Sequence, residues 1–198
     1  MIVNEASSPF ILEVLHPKHL IHVFDCGDEE INTYLYEDAL KDMQRDTTRT
    51  FVEIDTGKPT ANNVAGFFTI RADAFKINED HFVDWEADDD GKSAVSIPEI
   101  KVPLVELVNL ARGLAWRGMG IGDVLMIDAL KKVCAAADCI GLIGLHLRTT
   151  SQGKILYERF DFEEFTAHPE RDQDRYILRI ETIRTIVERA PSPHPQST

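Results

Sequence analysis

A mixed α/β (α+β) fold is predicted by three observations along the 198 residues. Runs rich in β-branched and aromatic residues, such as TFVEID and VAGFFTIRADAF, are interspersed with stretches of helical periodicity. The middle of the chain reads strand, glycine turn, helix, strand. Finally, 43% hydrophobic and 28% charged residues fit a globular, soluble protein with a sizeable core.

The elements follow in order. After the short apolar segment FILEVL, Ile31, Tyr34, Leu35, Ala39 and Met43 recur at roughly helical spacing, predicting an amphipathic helix from Asp28 to about Met43. Asp25 or Asp28 is suited to cap it, and Glu29 and Glu30 suit the positive end of its dipole. TFVEID and VAGFFTIRADAF flank TGKPTANN, whose Gly, Pro and Asn mark a turn, so the pair reads as a hairpin. The acidic stretch 76–99, with EDHFVDWEADDDGKS inside it, is poorly periodic and reads as a surface insertion. Val102 to Ala111 reads as a buried strand. Asp123 to Asp138 reads as a helix with Leu125, Met126, Ala129, Leu130, Val133 and Ala137 on its apolar stripe, and with Asp128, Lys131 and Lys132 elsewhere. Gly141 to Leu147 reads as a strand. SQGKILYERF suits a short helix capped by Thr149 or Thr150, and RYILRIETI a late strand. Residues 1–189 are expected to form one domain, and the Pro/Ser-rich residues 190–198 a disordered tail.

Charge and cysteine content narrow the function. A formal net charge of -13 and a pI near 4.9 disfavour nucleic acid and anionic membranes as partners unless a local basic patch exists. Cys26, Cys134 and Cys139 form no CxxC pair and leave an odd thiol, which points to a reducing, cytoplasmic setting without disulfides or zinc. Cys134 and Cys139 are expected in the core, and Phe160 and Phe162 likewise. No apolar run approaches membrane-spanning length, and MIVNEASSPF lacks the pattern of a signal peptide. The histidines show no HExxH spacing, so no metal is inferred.

The glycines of RGMGIG, Arg117 to Gly122, carry the chemistry. Glycine lets backbone N–H groups approach an anion closely, and the following helix start attracts negative charge. A P-loop requires Lys and Ser or Thr after its last glycine, where Asp123 and Val124 stand, so that reading fails. A dinucleotide fingerprint needs GxGxxG and an acidic residue closing the next strand. Here the spacing is GxGxG and the strand closes on Leu147 and Arg148, which weakens it. A tight turn without a ligand stays open as an alternative. A third pattern, Arg117-x-x-Gly120-x-Gly122 between strand and helix, resembles the pyrophosphate loop of the GNAT superfamily of N-acetyltransferases. NLARGLAWRGMGIGDVLMIDAL matches that family's strand end, loop and helix, and ILYERFDF is similar to its second signature. FDCGDEEINTYLYEDA is similar to a subgroup, the GNAT toxins of toxin–antitoxin modules and their relatives.

The resemblance implies a mostly antiparallel central sheet flanked by helices, with a splayed strand pair at the cofactor site, and acetyl-CoA as acyl donor. By that analogy the backbone of Gly118, Met119, Gly120, Ile121 and Gly122 binds the pyrophosphate and Arg117 adds charge. Leu110, Ala111 and Arg112 present main-chain groups to the pantetheine arm and thioester, and Thr150 and Gly153 lie on the cofactor side. Tyr157 is the implied general acid for the leaving thiolate, and Glu106 the implied base. A carboxylate in an apolar strand is costly unless paired, which makes Glu106 a candidate for a raised pKa; an outward-facing or salt-bridged residue is the other reading. Two positions depart from the family: Asp161 replaces the glycine of a Phe-Gly-Phe turn, and Thr150 replaces an asparagine.

The implied function is acetyl transfer to a primary amine of a small molecule, peptide or protein, which an acidic surface favours when the substrate is cationic. A GNAT toxin acetylating the amino group of aminoacyl-tRNA is one alternative, and a non-catalytic acyl-CoA-binding or partner-binding module is another. The partners are thus an amine substrate and acetyl-CoA, with a homodimer left open and tRNA or an antitoxin disfavoured by charge.

Overall fold

The computed structural model describes residues 10–57, 63–77, 100–148, 153–165 and 175–190. Most of the predicted acidic insertion, the predicted caps Thr149 and Thr150, and residues 191–198 lie outside them. Strands β1 (Phe10–Val14), β2 (Arg49–Asp55), β3 (Val64–Ile77), β4 (Ile100–Arg112), β5 (Gly144–Arg148), β6 (Glu163–Phe165) and β7 (Arg175–Arg179) form a seven-stranded sheet in the order β1-β2-β3-β4-β5-β7-β6. Only β4 and β5 are parallel; every other neighbouring pair is antiparallel.

Strand β4 is irregular against β3 and only briefly paired with β5. Thr69 faces Asn109 but Ile70 faces Leu107, so Val108 is an extra residue bulged out of β4. On its other edge β4 pairs with β5 only from Val105 to Leu107. β5 ends at Arg148 while β4 continues to Arg112, so the end of β4 extends past its pairing with β5.

Alternation along the strands divides the core into two layers. Val105, Leu107, Leu145 and Leu147 pack with Ile121, Leu125, Met126 and Leu130 of helix α3 (Ile121–Ile140) and with Ile183 of helix α5 (Ile180–Arg189). On the opposite face Val52, Ile54 and Phe67 pack with Phe24, Leu35 and Ala39, the last two from the segment α1 (Glu29–Thr33), π-turn (Tyr34–Asp38) and α2 (Ala39–Gln44). Of the two predicted caps, Asp28 accepts hydrogen bonds from the amides of Glu30 and Ile31, whereas Asp25 accepts from Gly27 N and Asn32 Nδ2.

Several expectations are corrected. Helix α3 starts two residues before Asp123 and ends two after Asp138, and its whole predicted apolar stripe is buried. Asp128 is buried as well, paired at 3.2 Å with Lys131 one turn on. β5 begins at Gly144 because Gly141, with φ 68°, closes α3 and turns the chain. The short helix α4 (Lys154–Arg159) follows Gly153 with no side-chain cap there. RYILRIETI is a strand only to Arg179, since Ile180, Ile183 and Ile186 share one helical face against the α3 core. Cys139 is exposed, not core; Cys134 and Phe160 are partly buried against the core and Phe162 is buried. β6 was not anticipated, and three residues leave little periodicity to detect.

Candidate active site

The glycine loop is anchored before it begins. Trp116, in the short 3-10 turn Leu114–Trp116, is buried and donates from Nε1 to Asp55 Oδ2 at 3.0 Å. Past this anchor, Gly118 and Gly120 take left-handed φ values of 78° and 75°. A Cβ at either would meet nothing within 4 Å, so torsion demands the glycines while the space beside them stays open. Among the described residues, the amides of Gly118, Gly120, Ile121 and Gly122 make no hydrogen bond within the chain, whereas those of Asp123 and Val124 turn back to Gly120 O. Four N–H groups without a partner among the described residues, at the start of a 20-residue helix, fit a phosphate group.

These amides open on a cleft of about 690 Å³ between the end of β4, the start of α3, helix α4 and the segment entering α1. Of the predicted cofactor residues, Leu110, Ala111, Arg112, Gly118, Gly120, Ile121, Gly122 and Gly153 line it, as does Tyr157. Leu110 to Arg112 lie past the last β4–β5 pair, and among the described residues no strand pairs with them on that edge. Arg117 and Met119 are exposed and are not among the lining residues, and Thr150 falls outside the described residues.

Tyr157 is buried, its ring 5.8 Å from those of both Phe162 and Tyr176. A Cβ on residue 153 would overlap its phenol, so only glycine lets the hydroxyl lie against that backbone. Asp161 closes α4 with φ 57°, the left-handed turn that the family's glycine would make.

The cleft also takes Cys26, Asp28 and Ile31, which sequence reasoning used only as cap, helix face and subgroup signature. Cys26 Sγ lies 3.1 Å from Asn32 Oδ1, and burial pushes its thiol up from the ordinary range, which makes it a poor nucleophile. Arg159 and Asp123, both on the lining, form an ion pair joining α4 to the first turn of α3.

Glu106 stands elsewhere. Its side chain projects from β4 on the face opposite α3, buried, outside the cleft lining. Arg71 donates to Glu106 Oε2 from Nε at 2.6 Å and Nη2 at 2.5 Å, and Arg148 Nε lies 3.5 Å from Oε1. Its neighbour across β5 is His146, whose Nε2 lies 2.9 Å from Asp73 Oδ2 and whose Nδ1 lies 3.2 Å from Arg175 Nη1. Burial pushes the His146 pKa down despite the raising pull of Glu106 and Asp73, which suits a neutral ring donating to Asp73 and accepting from Arg175. Ligand atoms of Asp73, Glu106 and His146 lie within 4.8 Å of one another, but the guanidinium groups of Arg71, Arg148 and Arg175 oppose a cation there. Among the described residues, no helix is long and apolar enough to cross a membrane.

No family model matches the chain. A tRNA-acetylating toxin of Mycobacterium tuberculosis is 28% identical over 141 residues, covering 71% of this chain and 76% of the toxin. A probable toxin, TacT, of Sinorhizobium fredii is 24% identical over 195 residues, covering 94% and 99%. A tyrosine-to-phenylalanine mutant of the toxin AtaT superposes with a TM-score of 0.72 at 20% identity, covering 91% of this chain and 95% of that one. AtaT complexed with acetyl-methionyl-tRNAfMet superposes with a TM-score of 0.71 at 19% identity, covering 89% and 98%. Fold, amide cradle and relatives together make the chain similar to the GNAT-superfamily N-acetyltransferases, and AtaT is solved with acetyl-CoA bound. Within that class the chain is similar to the GNAT toxins.

Proposed function

We propose that the acceptor is the α-amino group of aminoacyl-tRNA. The observation that carries transfer itself is the cradle of four unpartnered amides opening on the same cleft as the buried phenol of Tyr157. The likeness to a tRNA-acetylating toxin supports the choice of acceptor.

In this reading acetyl-CoA supplies an activated acyl group as a thioester. Gly118, Gly120, Ile121 and Gly122 hold its pyrophosphate through their amides, with Met119 completing the loop and the exposed Arg117 adding positive charge. Main-chain groups of Leu110, Ala111 and Arg112, beyond the β4–β5 ladder, hold the pantetheine arm and donate to the thioester oxygen as charge grows there. Thr150 lies on the cofactor side. Gly153 makes room for Tyr157, whose hydroxyl gives its proton to the departing sulfur. The nitrogen–carbon bond forms as the carbon–sulfur bond breaks, and the amine gives up its proton to water. Glu106 orients the two arginines that hold its oxygens and does not act as the base. AtaT is also solved with the C-terminus of its antitoxin AtaR, and an antitoxin partner for this chain belongs to the same proposal.

A second reading, transfer to a small or peptide amine, is favoured by the net charge of -13, which draws cations. Labelled acetyl-CoA incubated with an aminoacyl-tRNA pool and with an amine panel separates the two by mass spectrometry. N-acetylated aminoacyl-tRNA with CoASH release is the expected result. Label found only on free amines establishes the second reading. Thermal stabilisation by acetyl-CoA with no CoASH release on any acceptor identifies a binding module.

A further inference from the structure

We propose that Arg71 and Arg148, oriented by the buried Glu106, form an anion-binding face that takes phosphodiester groups of the acceptor. This inference rests on the tRNA reading above. The two side chains are 42% and 52% exposed, whereas the Glu106 side chain that binds them is 4% exposed. The carboxylate therefore acts as a fixed anchor from which two guanidinium groups reach solvent. Arg71 spends Nε and Nη2 on Glu106 and Arg148 only Nε, and among the described residues the Nη groups of Arg148 have no partner. The Arg71 guanidinium, fixed along its Nε–Nη2 edge, presents its remaining donors in a set direction, the geometry that favours phosphate over diffuse attraction, and Arg148, ion-paired at 3.5 Å, adds positive charge beside it.

Location strengthens the assignment. Arg148 is the last residue of β5 and the first past the final β4–β5 pair, Leu107↔Leu147. Glu106 precedes the cleft residue Leu110 on β4, separated by roughly 10 Å of strand once the bulged Val108 is discounted. An acceptor whose amine reaches the thioester from the face opposite α3 lays its chain across these arginines. Arg175, held at His146 Nδ1, extends the same face onto β7. Three arginines against Asp73 and Glu106, with a neutral His146, leave this face positive on a chain whose total charge is -13. A polyanion thus meets a local attraction that the net charge conceals.

The test measures binding of deacylated tRNA to the full chain by fluorescence anisotropy across a salt series, independently of catalysis. Arg148→Gln is expected to weaken binding about 10-fold at low salt and to reduce the slope of log K against log salt by about 0.7–0.9. Arg148→Lys restores most of that slope, and Arg71→Gln gives a loss of the same kind. Arg184→Gln, which removes an exposed arginine paired with Asp138 on the far side of the sheet, serves as the charge-matched control. An Arg148→Gln slope equal to wild type, a loss matched by Arg184→Gln, or no tRNA binding by the wild-type chain overturns the inference. Salt-dependent tRNA binding that responds to Arg148, in a chain that never acetylates aminoacyl-tRNA, upholds the anion face and rejects the proposed acceptor.

Discussion

Gly118 and Gly120 hold torsions that cost an L-residue roughly 1–2 kcal/mol each, with open space where their side chains would be. Gly120→Ala is therefore expected to destabilise the fold by about 1 kcal/mol and to raise the KM for acetyl-CoA, because a methyl group enters the cradle. A thermal melt and a donor titration read the two effects, and an unchanged KM removes Gly120 from the binding site. Tyr157 supports a separate prediction. Phenylalanine keeps its ring among Phe162 and Tyr176, so Tyr157→Phe should retain the thermal shift on adding acetyl-CoA while kcat falls by at least about 100-fold. Equal turnover in the variant ends its role as general acid. Both residues were legible in the sequence because local motifs place them. The ion pairs of Glu106 were not, since Arg71 lies 35 positions away and meets it only through the β3–β4 register.

At the scale of elements, the clearest lesson comes from the C-terminal segment. Tyr176 and Leu178 alternate as a strand does, while Ile180, Ile183 and Ile186 follow helical spacing, so one isoleucine-rich run carries both periods. Packing decides the boundary: Ile183 is buried in the layer beneath α3, a position open to a helix at the end of β7. Ile183→Ala is expected to cost about 2–5 kcal/mol, seen as a lower denaturant midpoint with kcat little changed. A loss below about 1 kcal/mol would show that α5 contributes little to that core. Helix α3 was read correctly along its stripe because six apolar positions agree with one period. The burial of Asp128 escaped detection because a hydropathy pattern scores an aspartate as polar whether or not Lys131 pairs with it.

Across the whole molecule, the cluster of Asp73, Glu106, His146, Arg71, Arg148 and Arg175 ties β3, β4, β5 and β7 together and links folding to pH. The folded pKa of His146 lies below 6.5, so between the two values the unfolded chain binds the extra proton and stability rises with pH. That contribution is full above 6.5 and is lost as pH falls toward the folded value. The wild-type melting temperature should drop through this window and His146→Gln should flatten the drop; parallel curves would remove His146 as its source. Glu13, lowered chiefly by its hydrogen bond from Lys18, acts only below 4.5, so the two effects separate. The sequence by itself determined the mixed fold and singled out the glycine loop and Tyr157 as candidates, because helix periodicity, glycine torsions and short motifs depend on residues close together in the chain. Tertiary structure alone decided that Cys26 and Asp28 face the cleft, that β4 runs past its pairing with β5, and that Glu106 pairs with two arginines. Those outcomes depend on strand register and on desolvation of charge, which arise only when distant segments are packed side by side.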